Sequence, residues 1–150
     1  MTNPRSWFTA LALVCATTTS ALAQPPAAGR IKIVTGAAFV VREGRQVPAK
    51  IGESVFQSDG LRTGADGKVG VTLKDDTRLS LGPNSELRLE RFVYAPADSG
   101  FGLVLKFISG VTTYVSGRIA KLAPDSIRLE TPAAIVGVRG TSLAISVQPE

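Results

Sequence analysis

Four aspartates, Asp59, Asp66, Asp75 and Asp76, carry the side chains in this sequence that could do chemistry. Two carboxylates can together hydrolyse a glycosidic bond. Asp75 and Asp76 are adjacent, however, and adjacent side chains of a strand point to opposite faces. Carboxylate oxygens also bind calcium, but this spacing matches neither the EF-hand loop nor glycine-aspartate repeats. We expect each aspartate to cap a tight turn by bonding to backbone.

Two residue types that most active sites need are scarce. The sequence contains no histidine, which excludes Ser-His-Asp and Cys-His nucleophiles and the commonest metal ligand. Its one cysteine, Cys15, lies in an N-terminal segment that we expect to be removed. Zinc–thiolate and iron–sulfur sites are then excluded as well. We predict no catalytic residue, no metal and no cofactor, and hence a protein that is not an enzyme.

A Gly-x-x-Gly segment near the end of the chain, Gly137 to Gly140, has the form of a loop that clamps a backbone. The glycines more simply allow positive φ or close packing where strands meet. Arg139 is isolated in an uncharged run, and its five fixed donors suit a structural bridge to carbonyls or to a carboxylate such as Asp59 or Asp76. We interpret this arginine as structural.

Short strands are the elements that must position these residues. Between residues 59 and 90, aliphatic and polar residues alternate with a period of two, which is typical of half-buried strands. Turn residues, including Asp75-Asp76 and Ser109-Gly110, separate the strands. Further runs of this kind cover residues 31–33, 38–42, 46–49, 103–107, 111–115, 127–130 and 143–147. We predict an all-β fold, a single compact domain of many short, mostly antiparallel strands; a roll, a sandwich or a short solenoid fits equally well.

The first 23 residues have the pattern of a cleaved signal peptide. Arg5 precedes an apolar core from Trp7 to Ala16, and Ala21-Leu22-Ala23 is a cleavage sequence. A membrane-spanning helix needs about 20 apolar residues, and the polar run 17–20 interrupts this one. We expect a signal peptide at 1–23, a flexible tether at 24–29, the all-β domain at 30–147 and a tail at 148–150. The protein would then be periplasmic or secreted, without a transmembrane anchor after cleavage.

The charge of the chain is modestly basic. The formal net charge is +5, and the basic residues are scattered singly along the predicted strands. A small excess of basic residues usually reflects a solvated surface, although it also favours binding to anionic surfaces of the cell envelope. No basic cluster is interleaved with aromatic residues, so we exclude nucleic acid as a partner.

Two sequence motifs are more specific than this periodicity. The first runs from Asp59 to Gly64 (DGLRTG) and continues through Asp76-Thr77 and Asn84-Ser85, and the second is TPAAIVGVRGT at 131–141. Together they resemble the FecR domain, in which D-x-x-x-T-G, D-T, N-S and T-P-x-x-x-x-G-x-R-G-T segments recur in this order. The resemblance extends from about residue 30 to residue 147. It marks the following residues, which we interpret as structural: Asp59, Gly60, Arg62, Thr63, Gly64, Asp76, Thr77, Asn84, Ser85, Thr131, Pro132, Gly137, Arg139, Gly140 and Thr141.

The resemblance implies a bacterial periplasmic all-β domain. The best-known FecR proteins relay an iron-siderophore signal from an outer-membrane transporter to a sigma factor. They carry a cytoplasmic tail and a membrane-spanning helix before the domain, whereas a cleavable signal is predicted here. A role in that relay would therefore require a separate membrane protein.

Three functions follow, from different classes. The first is a non-enzymatic exported module that binds a protein or an envelope glycan, for example through an exposed sheet edge. The second is a component of iron-siderophore signalling that acts with a separate membrane protein. The third is a hydrolase that uses Asp75 and Asp76.

Overall fold

The computed structural model describes residues 22–138 and 140–148. Residues 1–21 of the expected signal peptide lie outside the described residues, as do Arg139 and the last two residues of the expected tail. Of the described residues, 56 % are strand and 9 % are helix, which confirms the all-β prediction. Within these two ranges, none of the helices has the length and apolar composition that spanning a membrane requires.

Twelve strands form one curled half-barrel sheet, and most of them pair antiparallel. The strands are β1 (Gly29–Thr35), β2 (Ala38–Arg42), β3 (Arg45–Pro48), β4 (Ser54–Val55), β5 (Gly60–Thr63), β6 (Lys68–Leu73), β7 (Arg78–Leu81), β8 (Glu86–Ala95), β9 (Gly100–Val115), β10 (Ile127–Glu130), β11 (Ile135–Val136) and β12 (Ser142–Val147). A short helix, α1 (Arg118–Leu122), and two single 3-10 turns, Pro96–Asp98 and Pro124–Ser126, interrupt them.

Strand β9 holds the two halves of the sheet together. Its first part lies between β8 and the parallel strand β10, and its second part lies between β7 and β12. We call the strands in the order β3-β2-β5-β8-β9-β10-β11 the β10 half, and those in the order β4-β1-β6-β7-β9-β12 the β12 half. Since 16 residues of one strand serve both halves, the halves cannot separate without breaking β9.

The predicted turn at Ser109-Gly110 is wrong, because β9 continues through it as one strand. Gly110 has a φ of +81°. It bends the strand between its two halves without reversing the chain. A side chain here would meet the turn before β8, since an added Cβ would lie 2.2 Å from Ser85 Oγ.

The predicted alternation places one side of most strands in a single core. Ile31, Val71, Leu79 and Tyr114 lie in one row across neighbouring strands of the β12 half, and each is at most 2 % exposed. The corresponding core of the β10 half includes Val40, Leu61, Leu87, Leu89, Leu103, Leu105, Phe107 and Leu129. Burial of these aliphatic side chains provides most of the driving force for folding, at about 25 cal/mol per Å² of apolar surface.

The N-terminal boundary of the sheet lies slightly earlier than the expected tether would place it. β1 begins at Gly29, and Ala28 is only 2 % exposed. The backbone N–H of Ala28 donates to Val55 O at 2.7 Å, and Lys74 N donates to Ala28 O at 2.8 Å. These bonds add the end of the expected tether to the sheet.

Candidate functional site

The four aspartates do not form a common site. Among the described residues, no group of three or more acidic, histidine or cysteine side chains is placed to hold a metal ion. Asp75 is fully buried, whereas its neighbour Asp76 is 61 % exposed and pairs with Arg118 at 2.9 Å. The two carboxylates thus lie in different environments of the β6–β7 turn, one buried and one exposed. They are not arranged as a pair on one substrate.

Asp59 fixes the beginning of the central stretch to β2. Its carboxylate is 2 % exposed and accepts hydrogen bonds from Arg42 Nε at 2.8 Å, from Arg42 Nη2 at 2.7 Å and from Phe56 N at 2.9 Å. The Arg42 guanidinium also lies 4.8 Å from the centre of the Phe56 ring, a cation–π contact. The hydrogen bond to Asp59 raises the pKa of Arg42 although burial opposes it. This charge pair is therefore a structural element.

Asp75 and Thr77 join the β6–β7 turn to the start of α1. Thr77 donates to Asp75 twice, from its Oγ1 at 2.7 Å and from its N–H at 3.2 Å. Ile119 N, in the first turn of α1, lies 3.4 Å from Asp75 Oδ2, and Gly117 N donates to Thr77 Oγ1 at 3.2 Å. These hydrogen bonds give the buried polar groups of both segments their partners. The conclusion that aspartates shape turns holds for this residue.

A second polar network connects the D-x-x-x-T-G and N-S segments. Thr63 Oγ1 donates to Gly82 O at 2.6 Å and accepts from Ser85 N at 2.9 Å. Ser85 Oγ in turn accepts from Val111 N at 3.0 Å, at the bend of β9. Asn84 supports the same turn with a φ of +51°, a conformation that asparagine tolerates. The first motif is therefore largely a set of turn contacts around β9.

The other residues of the first motif are likewise occupied in the sheet. Arg62 pairs with Glu86 on the neighbouring strand, with Nη2 and Oε2 2.8 Å apart. A Cβ on Gly60 would lie 3.3 Å from Val41 Cβ, and one on Gly64 would lie 2.9 Å from Ala37 Cβ. Each glycine allows a close approach to β2 or to the loop before it.

The second motif lies beside the open end of the sheet. Thr131 Oγ1 accepts from Ala134 N at 3.1 Å and thereby closes the turn that contains Pro132. Ser116 Oγ donates to Gly140 O at 2.7 Å. The positive φ predicted for Gly137 is wrong, since its φ is not positive, and an added Cβ would meet no atom of the described residues within 4 Å. The structural role predicted for Arg139 stays a prediction, because this residue lies outside the described residues.

Tyr114 has an environment that the sequence does not predict. It is fully buried in the core row of β9, and its hydroxyl has no hydrogen-bond partner in the described part of the chain. Burial, together with the negative charge of Asp75, raises the pKa of Tyr114 to about 12. The alternating pattern identifies this side chain as a core residue, but it cannot reveal that the hydroxyl lacks a partner.

The hydroxyl of Tyr114 predicts a measurable dependence of stability on pH. In the unfolded chain the phenol titrates near its ordinary pKa of 10.0, whereas in the folded domain its pKa is about 12. The free energy of unfolding should therefore fall as pH rises from about 10 to 12, by roughly 2 kcal/mol. In Tyr114→Phe the fall over this pH range should be smaller by that amount. At neutral pH the variant should stay within about 1 kcal/mol of the wild type, because the hydroxyl makes no hydrogen bond of good geometry although the Thr77 side chain lies near it.

Urea unfolding at neutral pH and at several pH values above 10 tests this. The wild type, measured in parallel, is the reference. Identical pH dependences of the wild type and Tyr114→Phe would contradict the role assigned to Tyr114.

The open edge of β12 is the most accessible recognition feature. β12 pairs with β9 through six consecutive residues without a register shift, and no described strand pairs with its other edge. The strand carries no charge and no proline. The other edge strands are less suitable for pairing with an added strand, because β4 and β11 have two residues each and β3 ends in Pro48.

The register shows which backbone groups of β12 face the open edge. Ser116 N donates to Thr141 O at 3.0 Å, so these residues form a hydrogen-bonded pair one position before Ser142 and Val115. Hydrogen-bonded and non-hydrogen-bonded pairs alternate along an antiparallel ladder. The residues whose N–H and C=O groups point to the open edge are therefore Ser142, Ala144 and Ser146. Those that bond to β9 are Leu143, Ile145 and Val147.

A cavity continues this edge at the end of β12. It has a volume of about 430 Å³, and the described residues that line it are uncharged: Ile108, Thr131, Pro132, Ala133, Ser146, Val147 and Gln148. It lies where β10 ends its pairing with β9 at Lys106 and β12 begins its own at Gly110. An extended peptide along β12 could place an uncharged side chain here, since ligand pockets typically have volumes of roughly 300–1,000 Å³.

A family match covers both sequence motifs. The family model described as FecR protein matches residues 59–150, which is more than half of the chain. The chain belongs to the FecR family. This membership suggests a role in iron-siderophore signalling, and FecR proteins generally interact with other proteins. No curated protein and no solved structure matches the chain.

The FecR match begins within the described domain. The preceding strands β1 to β4 are nevertheless part of the same sheet, since β1 pairs with β6 and β2 pairs with β5. The earlier part of the resemblance, from about residue 30, therefore lies within the same fold as the matched part.

Proposed function

We propose that this FecR-family protein is a non-enzymatic binding module of the bacterial periplasm or cell envelope, and that it binds a protein partner by adding a strand to β12. The open, uncharged edge of β12 carries the proposal. Such an edge offers unpaired backbone groups to an extended peptide. The neighbouring uncharged cavity would add selectivity for a side chain of that peptide.

Two of the four candidate aspartates, Asp59 and Asp75, support a non-enzymatic role. The carboxylates of Asp59 and Asp75 are at most 2 % exposed, and both are bonded to neighbouring segments of the fold. A general acid or base must reach its substrate, and neither carboxylate does so in this arrangement. Absence of histidine from the whole sequence points in the same direction.

Proline substitution at the open edge tests the proposal directly. In Ala144→Pro the lost N–H points away from β9, so no bond of the sheet is broken. Proline is tolerated at such positions of edge strands. Partner binding should fall by roughly tenfold or more, or about 1.4 kcal/mol, because the added strand loses a hydrogen bond and meets the proline ring. The measurement is crosslinking of the protein in intact cells, followed by affinity measurement with the purified partner.

The matched control is Gln46→Pro on β3. Ala49 N donates to Ala38 O, so by alternation Gln46 and the native Pro48 both face the open side of the β2–β3 ladder. This variant should bind the partner as the wild type does, and both variants should keep the wild-type melting temperature within a few degrees. Equal binding by a folded Ala144→Pro would overturn strand addition at β12.

A role in iron-siderophore signalling is the second candidate, and membership of the FecR family favours it. In that case the captured partner would be a membrane protein whose loss abolishes the transcriptional response to the siderophore. If loss of the partner had no effect on this response, the general binding role would still stand and the signalling role would be excluded.

A further inference from the structure

The outer face of the β12 half has one sign of charge. Its strands β1, β4, β6, β7, β12 and the second part of β9 contain no acidic residue. Four basic side chains are exposed on these strands: Arg30, Lys32, Lys68 and Arg78. None of the four forms an ion pair with another described residue. We call this surface the basic face.

The centre of the basic face is flat. One outward row across the sheet contains Gly70, Ser80, Thr113 and Ala144, aligned by the register of the strands. These side chains are small, so none projects far from the sheet. The neighbouring outward row places Arg30, Thr72 and Arg78 side by side on three adjacent strands. Cations therefore border a smooth polar surface.

The β10 half has a different charge pattern. Three of its outward arginines have acidic partners within the same surface: Arg62 with Glu86 at 2.8 Å, Arg88 with Glu90 at 3.3 Å and Arg128 with Glu130 at 3.9 Å. Three further basic side chains of this half, Arg45, Arg91 and Lys106, are exposed and form no ion pair with another described residue. Near the basic face, acidic side chains are found in the turns, where Asp76 pairs with Arg118 and Asp66 accepts from Ala37 N. Acidic side chains are thus interspersed among the cations of the β10 half, whereas the strands of the basic face carry cations alone.

Two branched aliphatic side chains also lie on the basic face. Ile33 is 57 % exposed and Val111 is 50 % exposed. Ile33 rests against Gly70, where an added Cβ would lie 3.2 Å from Ile33 Cβ, so the isoleucine stands above the flat row. The strands of this face present no aromatic side chain outward, on which a sugar ring could stack. A planar anionic surface with an apolar interior is complementary to this combination.

We propose that the basic face binds the surface of a bilayer that contains anionic phospholipids. The four cations would contact phosphate groups, the serine and threonine hydroxyls would bond to headgroups, and Ile33 and Val111 would enter the interface. Each Lys or Arg near an anionic membrane adds to binding, and the attraction is screened by salt. This face presents side chains, whereas the open edge of β12 presents backbone groups, so a protein partner and a membrane could be bound together.

Sedimentation of the full chain with vesicles tests the proposal. The vesicles contain equal parts of phosphatidylglycerol and phosphatidylcholine, and pure phosphatidylcholine vesicles are the neutral reference. The test variant combines Arg30→Gln, Lys68→Gln and Arg78→Gln. The control combines Arg62→Gln, Arg88→Gln and Arg128→Gln, which removes the same net charge from the β10 half. The N-terminal segment is unchanged in both, so its own affinity for lipid cancels from the comparison.

Wild type should bind the anionic vesicles in a salt-dependent manner. The basic-face variant should bind roughly tenfold or more weakly, and the control should differ from the wild type by about twofold at most. All substituted side chains are exposed, and unchanged melting temperatures would confirm that both variants fold. Equal losses in the two variants would overturn the proposal. So would equal binding to neutral vesicles, or binding to soluble dextran sulfate as strong as to vesicles, which would assign the face to an anionic glycan.

Discussion

Asp75→Ala is expected to destabilise the domain by about 3–5 kcal/mol. The carboxylate is fully buried and accepts from Thr77 Oγ1 at 2.7 Å, from Thr77 N at 3.2 Å and from Ile119 N at 3.4 Å. Alanine would leave these donors buried without an acceptor, at a cost of about 1–3 kcal/mol each. It would also release the start of α1 from the β6–β7 turn.

The neighbouring residue provides the matched control. Asp76 is 61 % exposed, and its ion pair with Arg118 is exposed on both sides. Asp76→Ala should therefore cost about 1 kcal/mol or less. Asp75→Asn should fall between the two alanine variants, because its amide keeps one acceptor oxygen. Urea unfolding at neutral pH measures all three, and similar losses for the two alanine variants would contradict the structural role of Asp75.

The same variants separate the structural role from a catalytic one. If Asp75 and Asp76 acted together on a glycan, both substitutions would abolish hydrolysis whatever their effect on stability. The structure instead predicts that Asp75→Ala lowers the free energy of unfolding much more than Asp76→Ala does. That difference arises from which face of the turn each side chain occupies.

Most strands follow from the sequence, because burial on one face of a sheet imposes a period of two. Val69, Val71 and Leu73 alternate with exposed or small residues, and all three are buried as predicted. The two-residue turn at Glu43-Gly44 is equally local: both residues have positive φ, of 51° and 75°. This conformation matches the twist of a hairpin.

Strand pairing and long-range contacts do not follow from such patterns. Arg42 binds Asp59 across 17 positions of sequence, and nothing in the local pattern marks this arginine among the others. β9 was expected as two strands, because serine-glycine is typical of a turn. The sequence does not reveal that Gly110 bends a continuous strand. Likewise, the basic face depends on which strands are neighbours, and the even distribution of basic residues along the chain conceals it.

Gly110→Ala is the second change from which we expect a large effect, a loss of about 3 kcal/mol or more. The residue has a φ of +81°, which alone costs a residue with a Cβ about 1–2 kcal/mol. The new Cβ would also lie 2.2 Å from Ser85 Oγ and 2.5 Å from Ser85 Cα. The second atom belongs to the backbone, so a rotamer change of Ser85 could not relieve the clash.

Gly44→Ala separates these two costs. Gly44 has a similar φ of +75°, but an added Cβ would meet no atom within 4 Å. In urea unfolding, Gly44→Ala should lose only the free energy that positive φ costs a residue with a Cβ. The further loss of free energy in Gly110→Ala then measures the close contact between the β9 bend and the turn before β8. Failure of Gly110→Ala alone to yield folded protein would agree with this. Equal stability of the two variants would mean that the bend tolerates a side chain, and β9 would then not require glycine to join the two halves.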